Sequence, residues 1–271
     1  MSATDNNLMP VLFVPHGGGP LPLLNDANHD ELRAFLTEMP EVLPTPKAIV
    51  LITAHWEEAE FTVSSNPAPG MIYDYYGFPP ESYTLTYPAQ GDPALATTIA
   101  ELVAAKGIAV KLDNERGFDH GTFVPLKLMY PEASIPVVQV SLVQGLDPKT
   151  HIAIGEALSP LREQGVLIVG SGMSFHNMRG FFSGDSAVIS RSRAFDKWLT
   201  DSLMADSAAM TPALKLNDWS RAPEGRYCHP REEHLLPLLV CFGAAHAGSS
   251  KVQHVFNGTL FNAWISGYLW Q

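Results

Sequence analysis

The sequence predicts an α/β fold: a single domain with a mainly parallel or mixed central sheet flanked by helices. Three observations carry that expectation. Two β-branched runs, Ala48-Ile-Val-Leu-Ile-Thr53 and Val166-Leu-Ile-Val-Gly170, are apolar at consecutive positions, as strands covered on both faces must be. Segments of helical period alternate with such runs along the chain. A hydrophobic content of 46% over 271 residues fills one large core, so residues 1–271 read as one catalytic-size domain without repeat, low-complexity tract or linker.

In chain order, Val11-Leu-Phe-Val14 is a buried strand that empties through Pro15-His16 into three glycines. That loop has neither the spacing of a dinucleotide loop nor the Lys-Ser/Thr of a phosphate-binding one, which argues against a nucleotide site. Leu32, Phe35, Leu36 and Met39 have helical spacing from Asp30 to Met39, and Pro40 is expected to stop that helix. The Ala48 to Thr53 run delivers Ala54-His55-Trp56 to its carboxyl end, the edge where open α/β sheets bind ligands. Phe61 to Ser64 is a short strand. Residues 66–93 are crowded with proline, glycine and tyrosine; a loop this long is either a lid over a site or a contact between copies in a homo-oligomer, and both readings stay open.

Asp92 and Pro93 read as the N-cap and first residue of a helix to Ala105. Ile108 to Leu112 is a strand, after which Glu115-Arg-Gly-Phe-Asp-His-Gly-Thr-Phe-Val-Pro-Leu126 sets His120 between an acidic turn and a helix expected from Val124 to Tyr130. Ile135 to Ser141 is a strand, Lys149 to Glu163 a helix, and Val166 to Gly170 a strand leading to His176. A helix over Ser186 to Ala205 buries Phe195, Trp198 and Leu199. The polar stretch Asn217 to Pro230 precedes a buried helix over Glu232 to Ala245, a strand over Val252 to Phe256, and a Trp/Tyr-rich terminus.

The formal charge of −11 argues against nucleic acid or an anionic membrane as partner, since both need a basic surface, and favours a small neutral or cationic substrate. Two cysteines, Cys228 and Cys241, are too few for a disulfide framework and suit a reducing cytoplasm. No apolar run reaches the roughly 18 residues of a membrane helix, and Met1 to Asn7 has no basic region ahead of an apolar stretch. A soluble, unexported, cytoplasmic protein is expected.

Histidines carry the candidate chemistry. His16 and His55 each end a buried strand, where neutral imidazoles from neighbouring strands can face one crevice and bind zinc or iron. His234 opens an apolar helix, beside Glu232 and Glu233. His120 and His176 are flanked by glycine and small polar residues, which suits imidazoles that approach a substrate and move protons near neutral pH. These five are expected to converge on one metal ion. His29, His151, His246 and His254 read as structural, and His229 as a loop residue that could line a site. No H-E-x-x-H helix is present, and Gly170-Ser-Gly-Met-Ser174 has the wrong register for a serine hydrolase elbow. A structural zinc site from Cys228, His229 and His234 matches no standard module.

Seven ordered blocks carry a resemblance: Pro15-His16-Gly17, Ala54-His55-Trp56, Tyr73-Asp-Tyr-Tyr-Gly-Phe-Pro79, Tyr87-Pro-Ala-Gln-Gly-Asp-Pro-Ala94, Arg116-Gly-Phe-Asp-His-Gly-Thr-Phe-Val-Pro125, Gly170-Ser-Gly172 with His176-Asn177, and Glu233-His-Leu-Leu-Pro-Leu238. Together they cover nearly the whole chain and resemble the class III extradiol ring-cleavage dioxygenases, the protocatechuate 4,5-dioxygenase superfamily, in its DOPA 4,5-dioxygenase branch. The resemblance implies a non-haem Fe(II), with zinc also found in this branch, that binds a catechol and O₂ and opens the ring to a muconic semialdehyde. By motif it implies that His16, His55 and His234 hold the metal, that His176 is the acid/base, and that His120 lies beside substrate and oxygen. The wider superfamily uses two histidines and a glutamate; here the third position falls on His234, with Glu233 adjacent. Three neutral imidazoles leave more positive charge on a divalent ion, which zinc tolerates and Fe(II) offsets once a catecholate binds. A zinc hydrolase or lyase on the same histidines is the alternative from another class, and a non-catalytic binding member is the third.

Overall fold

A computed structural model describes residues 8–205, 211–247 and 250–271. Residues 1–7, over which no leader is expected, lie outside the described residues. In chain order the elements are β1 (Val11–Pro15), α1 (Asp30–Val42), β2 (Ala48–Glu58), β3 (Phe61–Ser64), α2 (Pro93–Ala104), β4 (Val110–Asp113), α3 (His120–Met129), β5 (Val137–Val143) and α4 (Pro148–Leu158). They continue with β6 (Val166–Gly172), α5 (Met178–Phe181), α6 (Ala187–Leu203), α7 (Thr211–Asn217), α8 (Gly225–Cys228), α9 (Leu236–His246), β7 (Val252–Leu260) and β8 (Ala263–Trp270).

The strands form one eight-stranded mixed sheet in the order β4-β3-β5-β2-β6-β1-β8-β7. Its centre, β5-β2-β6-β1, is parallel throughout. β3 is antiparallel to β5, and the β7-β8 hairpin is added antiparallel to β1. The β-branched runs fall on β2 and β6, the two innermost strands of that parallel block. Both faces are covered, as such runs require. Successive residues of β6 show it, because side chains alternate across a strand. A Cβ on Gly170 would meet Cys241 and the Pro237 carbonyl of α9, whereas the Ser171 hydroxyl donates to the Gly121 carbonyl of α3.

Several boundaries differ from expectation. α1 runs through Pro40 to Val42; a proline this near a helix end removes one hydrogen bond from the last turn, which the buried Leu32, Leu36 and Met39 outweigh. α3 begins at His120, four residues early, because Asp119 caps it by accepting from Thr122 N at 3.1 Å. The expected Lys149–Glu163 helix is α4 followed by a 3₁₀ stretch, Ser159–Gln164. α9 starts at Leu236, so His234 lies in the turn before it. The strand expected to end at Phe256 runs to Leu260, and the aromatic terminus is β8.

Buried Arg162, in that 3₁₀ stretch, gathers three segments: it donates to the Met9 carbonyl at 2.7 Å, the Ala244 carbonyl at 3.3 Å and Ser250 Oγ at 2.7 Å. Removing it strands buried acceptors at the entry to β1 and the end of α9. Arg162→Ala is expected to lower the free energy of unfolding by about 3 kcal/mol, read from urea denaturation; a loss under about 1 kcal/mol would mean that water replaces the clamp.

Candidate active site

β1, β2 and β6 are parallel neighbours, so their carboxyl ends share one edge of the sheet. His16 follows β1 directly, and His176 lies four residues past β6. His55 sits inside β2, just where the strand leaves its neighbours: pairing with β6 ends at Thr53, and the ladder to β5 shifts between Ile52 and Glu57. His120 opens α3, whose capping Asp119 also accepts from Thr53 Oγ1 at 2.8 Å, tying the helix start to the end of β2. The His234 turn is docked on β6 by Met173 N, which donates to the His234 carbonyl at 2.9 Å. Only glycine allows that docking, since a Cβ on Gly172 would stand 2.3 Å from the same carbonyl oxygen. The loop after His16 is similarly dependent on Gly17, with φ +81 and a Cβ position 2.6 Å from Pro22.

All five predicted histidines meet. Ring centroids of His16, His55 and His234 are 4.9 Å, 5.2 Å and 4.9 Å apart. His120 lies 3.9 Å from His55 and 5.4 Å from His16, and His176 stacks on His234 at 3.4 Å. Ligand atoms of His16, His55 and His120 lie within 4.8 Å of one another, as do those of His176, Glu233 and His234.

Their ring protons are fixed from behind. Pro125 has no N–H to give the Gly121 carbonyl four residues back, and that carbonyl takes the Ser171 hydroxyl proton instead. Ser171 Oγ is left to accept from His16 Nδ1 at 3.0 Å, which leaves His16 Nε2 without a proton. Asp74 Oδ1 accepts from His120 Nδ1 at 2.9 Å and from His120 N at 3.0 Å, and its Oδ2 lies 3.5 Å from His55 Nδ1. Glu233 Oε1 lies 3.2 Å from His234 Nδ1 and 3.4 Å from His176 Nδ1.

Burial pushes the Asp74 carboxyl up, but the hydrogen bonds and charge of His120, with the charge of His55, bring it down to about 2. Burial raises Glu233 too, and bonding to His176 with the charges of His176 and Arg231 outweighs it, so both groups are carboxylates. Burial, then the charge of neighbouring imidazoles, holds His16, His55 and His234 well below the usual histidine value. His16 Nε2 and His55 Nε2 are 3.2 Å apart. Two bare ring nitrogens at that distance repel unless a cation lies between them, so the donor set suits a divalent metal.

The histidines floor a cavity of about 560 Å³, within the usual range for small-molecule sites. The tyrosine-rich segment after residue 66 supplies one wall through Tyr75, Tyr76 and Phe78; its Asp74 stands behind the histidines, outside the lining. Tyr75 donates its hydroxyl to the Ser82 carbonyl at 2.6 Å, and burial raises its phenol to about 12.

Asp74 is the functional group that sequence reasoning missed; lying in a loop with no spacing to a histidine, it gave only the Tyr-Asp-Tyr-Tyr block as a signal. Glu233 is present but stands behind two imidazoles. His229 does not line the cavity: it is buried against Phe195 and Trp219, with Nε2 bonded to the Ser174 carbonyl, and Cys228 bonds the Arg191 carbonyl, so the Cys228, His229, His234 zinc site does not form. His29 is structural, accepting from Gly18 N at 3.0 Å and so bracing the glycine loop.

Comparison with known proteins matches residues 16–267 to the family model described as the catalytic LigB subunit of aromatic ring-opening dioxygenase. A relative from Hapsidospora irregularis, the dioxygenase tasH, is 43% identical over 263 residues, covering 90% of this chain and 81% of its own. A 4,5-DOPA dioxygenase extradiol of Beta vulgaris is 37% identical over 269 residues, covering 98% and 96%. The crystal structure of an uncharacterized Escherichia coli K12 protein has a TM-score of 0.79 at 30% identity, covering 96% of this chain and 99% of that one.

Burial lowers the proton affinity of His16, His29, His55, His151, His229, His234 and His254 in the folded chain. As pH falls through about 6.5 the unfolded chain takes up protons that the folded one refuses, so metal-free stability is greatest above that value and declines below it. Urea midpoints at pH 7.5, 6.5 and 5.5 should fall in that order; equal midpoints would contradict the burial of these rings.

Proposed function

Because the chain belongs to the LigB family and is an extradiol aromatic ring-opening dioxygenase, we propose that it opens the ring of a catechol with O₂ to a muconic semialdehyde, using Fe(II) held by His16, His55 and His234. The observation that carries this reading is the convergence of five imidazoles at one cavity, with His16 Nε2 and His55 Nε2 3.2 Å apart. The ligand atoms of His16 and His55 group with those of His120; His234 is proposed as the third ligand on the motif resemblance, with near-equal centroid separations of 4.9 to 5.2 Å among His16, His55 and His234 in support. His120 is set unevenly against them and touches the tyrosine wall, edge-on to Tyr75 at 5.9 Å. Zinc would fit the same donors, so a zinc-loaded preparation would not exclude an iron enzyme. Residues 1–271 act on this reading as one catalytic domain, and two buried free thiols, Cys228 and Cys241, agree with a reducing cytoplasm. The relatives' names point to DOPA-like or other small catechols.

Held by His16, His55 and His234, iron would supply a redox-active Lewis acid between diol and dioxygen. The side chain of His176 is 22% exposed and faces the cavity, so it can take a phenolic proton from the diol and return one as the ring opens. Glu233 steadies His176 when it carries that proton. His120, its Nδ1–H bonded to the Asp74 carboxylate, stabilises the oxygen where charge develops when it carries a second proton on Nε2 and donates from there. Tyr75 and Phe78 keep water from the ring.

Protein reconstituted anaerobically with Fe(II) and given a catechol panel in an oxygen electrode should consume O₂ and gain yellow semialdehyde absorbance. Activity with zinc in the absence of O₂ would sink the proposal. His176→Gln should keep metal content and lose about 10²–10⁴-fold in kcat. Asp74→Asn, which removes only a group behind the ligands, should cost about 10–100-fold in metal affinity or turnover, measured by metal titration and the same assay.

A further inference from the structure

We infer that the catechol this site takes carries an uncharged, apolar substituent; the inference rests on the ring-opening reading above. Beyond its floor of histidines the cavity is walled by Tyr75, Phe78, Met178, Phe181, Phe182 and Phe261, and among the described residues no Lys, Arg, Asp or Glu side chain lines it. The arginines near the cavity in sequence do not reach it. Arg226 pairs with Glu232 at 2.7 Å and covers Trp219; Arg179 is exposed and outside the lining. Arg231 is shared between Glu57 and Glu233. A carboxylate on the substrate would therefore lose its water and meet no cation, and the overall charge of −11 would repel it at longer range. An ammonium fares no better, because Asp74 and Glu233 are already bonded to imidazoles on the far side of the floor.

The apolar lining also continues to the surface. Met178 is 54% exposed, Phe182 69% and Tyr76 92%, an apolar rim of the kind that marks a ligand groove. Phe261 shows that the apolar wall is built at a cost. It sits at the tip of the β7-β8 hairpin with φ 46, a left-handed backbone that a bulky residue rarely adopts. Its ring is held against Phe181 at 5.9 Å and Phe182 at 5.6 Å, over the cavity. A two-residue hairpin turn of this hand is ordinarily filled by Asn-Gly, so the ring is retained against the preference of the turn.

The test measures binding separately from turnover. Zinc-loaded protein, redox-silent, is titrated calorimetrically under argon with the methyl ester of 3-(3,4-dihydroxyphenyl)propanoate, the free acid, and the corresponding amine, while the iron enzyme is assayed with the same three. The ester is expected to bind about 100-fold more tightly than the acid or amine. Phe261→Gly should relieve backbone strain, leaving the urea midpoint equal or higher, yet weaken the ester several-fold. Met178→Arg, at an exposed position, should shrink the ester-to-acid ratio at least tenfold. An acid bound as tightly as the ester, for example by backbone N–H groups of the glycine loop, overturns the inference, as does tightest binding of the amine or no binding of any. If the acid is bound and opened as well as the ester, only this inference fails. If the ester binds with the expected preference and iron gives no O₂ uptake, the ring-opening reading fails and the apolar specificity stands.

Discussion

Imidazoles that are to hold a metal through Nε2 impose one requirement on everything around them: each must donate its Nδ1–H to an acceptor outside the cluster, so that Nε2 is bare. Three acceptors meet it. Ser171 serves His16, Asp74 serves His55 and His120, and Glu233 serves His176 and His234. Each is in turn held by the fold. Ser171 accepts because its own proton goes to the Gly121 carbonyl, which Pro125 leaves free, so a proline five positions into α3 fixes a tautomer at the end of β1. Asp74 comes from the long tyrosine-rich segment, and Glu233 from the turn that Gly172 allows to close on β6.

The same acceptors settle the charge of the site. Neutral imidazoles alone would leave a divalent ion fully charged inside a mostly apolar cavity, an expensive arrangement. Two carboxylates one imidazole away balance it without occupying ligand positions, so the open coordination sites that a diol and dioxygen need are not taken. If His234 is the third ligand, as proposed, this is a physical reason for that position to carry histidine while a glutamate stays beside it: the negative charge is moved back by the width of one ring.

What the sequence disclosed follows the same division. Continuous β-branched runs identified β2 and β6, because burial on both faces leaves no other pattern, and strand ends identified His16 and His55, because parallel strands deliver their carboxyl ends to one edge. His120, His176 and His234 have no mutual spacing; flanking glycines and an apolar helix start singled them out, and the family resemblance supplied their separate roles. Asp74 could not be read, since its partners are 19 and 46 residues away and only tertiary folding joins them. Helix ends were misjudged where a rule of local propensity met a tertiary contact: Pro40 inside α1, where a buried face prevailed, and His234 ahead of α9, where the docked turn did.

The hairpin that closes the cavity shows why the mixed sheet matters to function. Had the sheet ended at β1, its carboxyl edge would open directly to solvent beside His16. Adding β8 antiparallel to β1 carries the chain back across that edge, and the turn from β7 into β8 places Leu260 and Phe261 over the glycine loop and against α5. That wall comes from the hairpin tip and α5, whereas His16, His55 and His120 are positioned by β1, β2 and α3. The floor can therefore stay constant for one chemistry while the hairpin tip and α5 vary to admit different substituents. Strain at Phe261 lies in the wall, where a cost of about 1–3 kcal/mol does not disturb the alignment of the imidazoles.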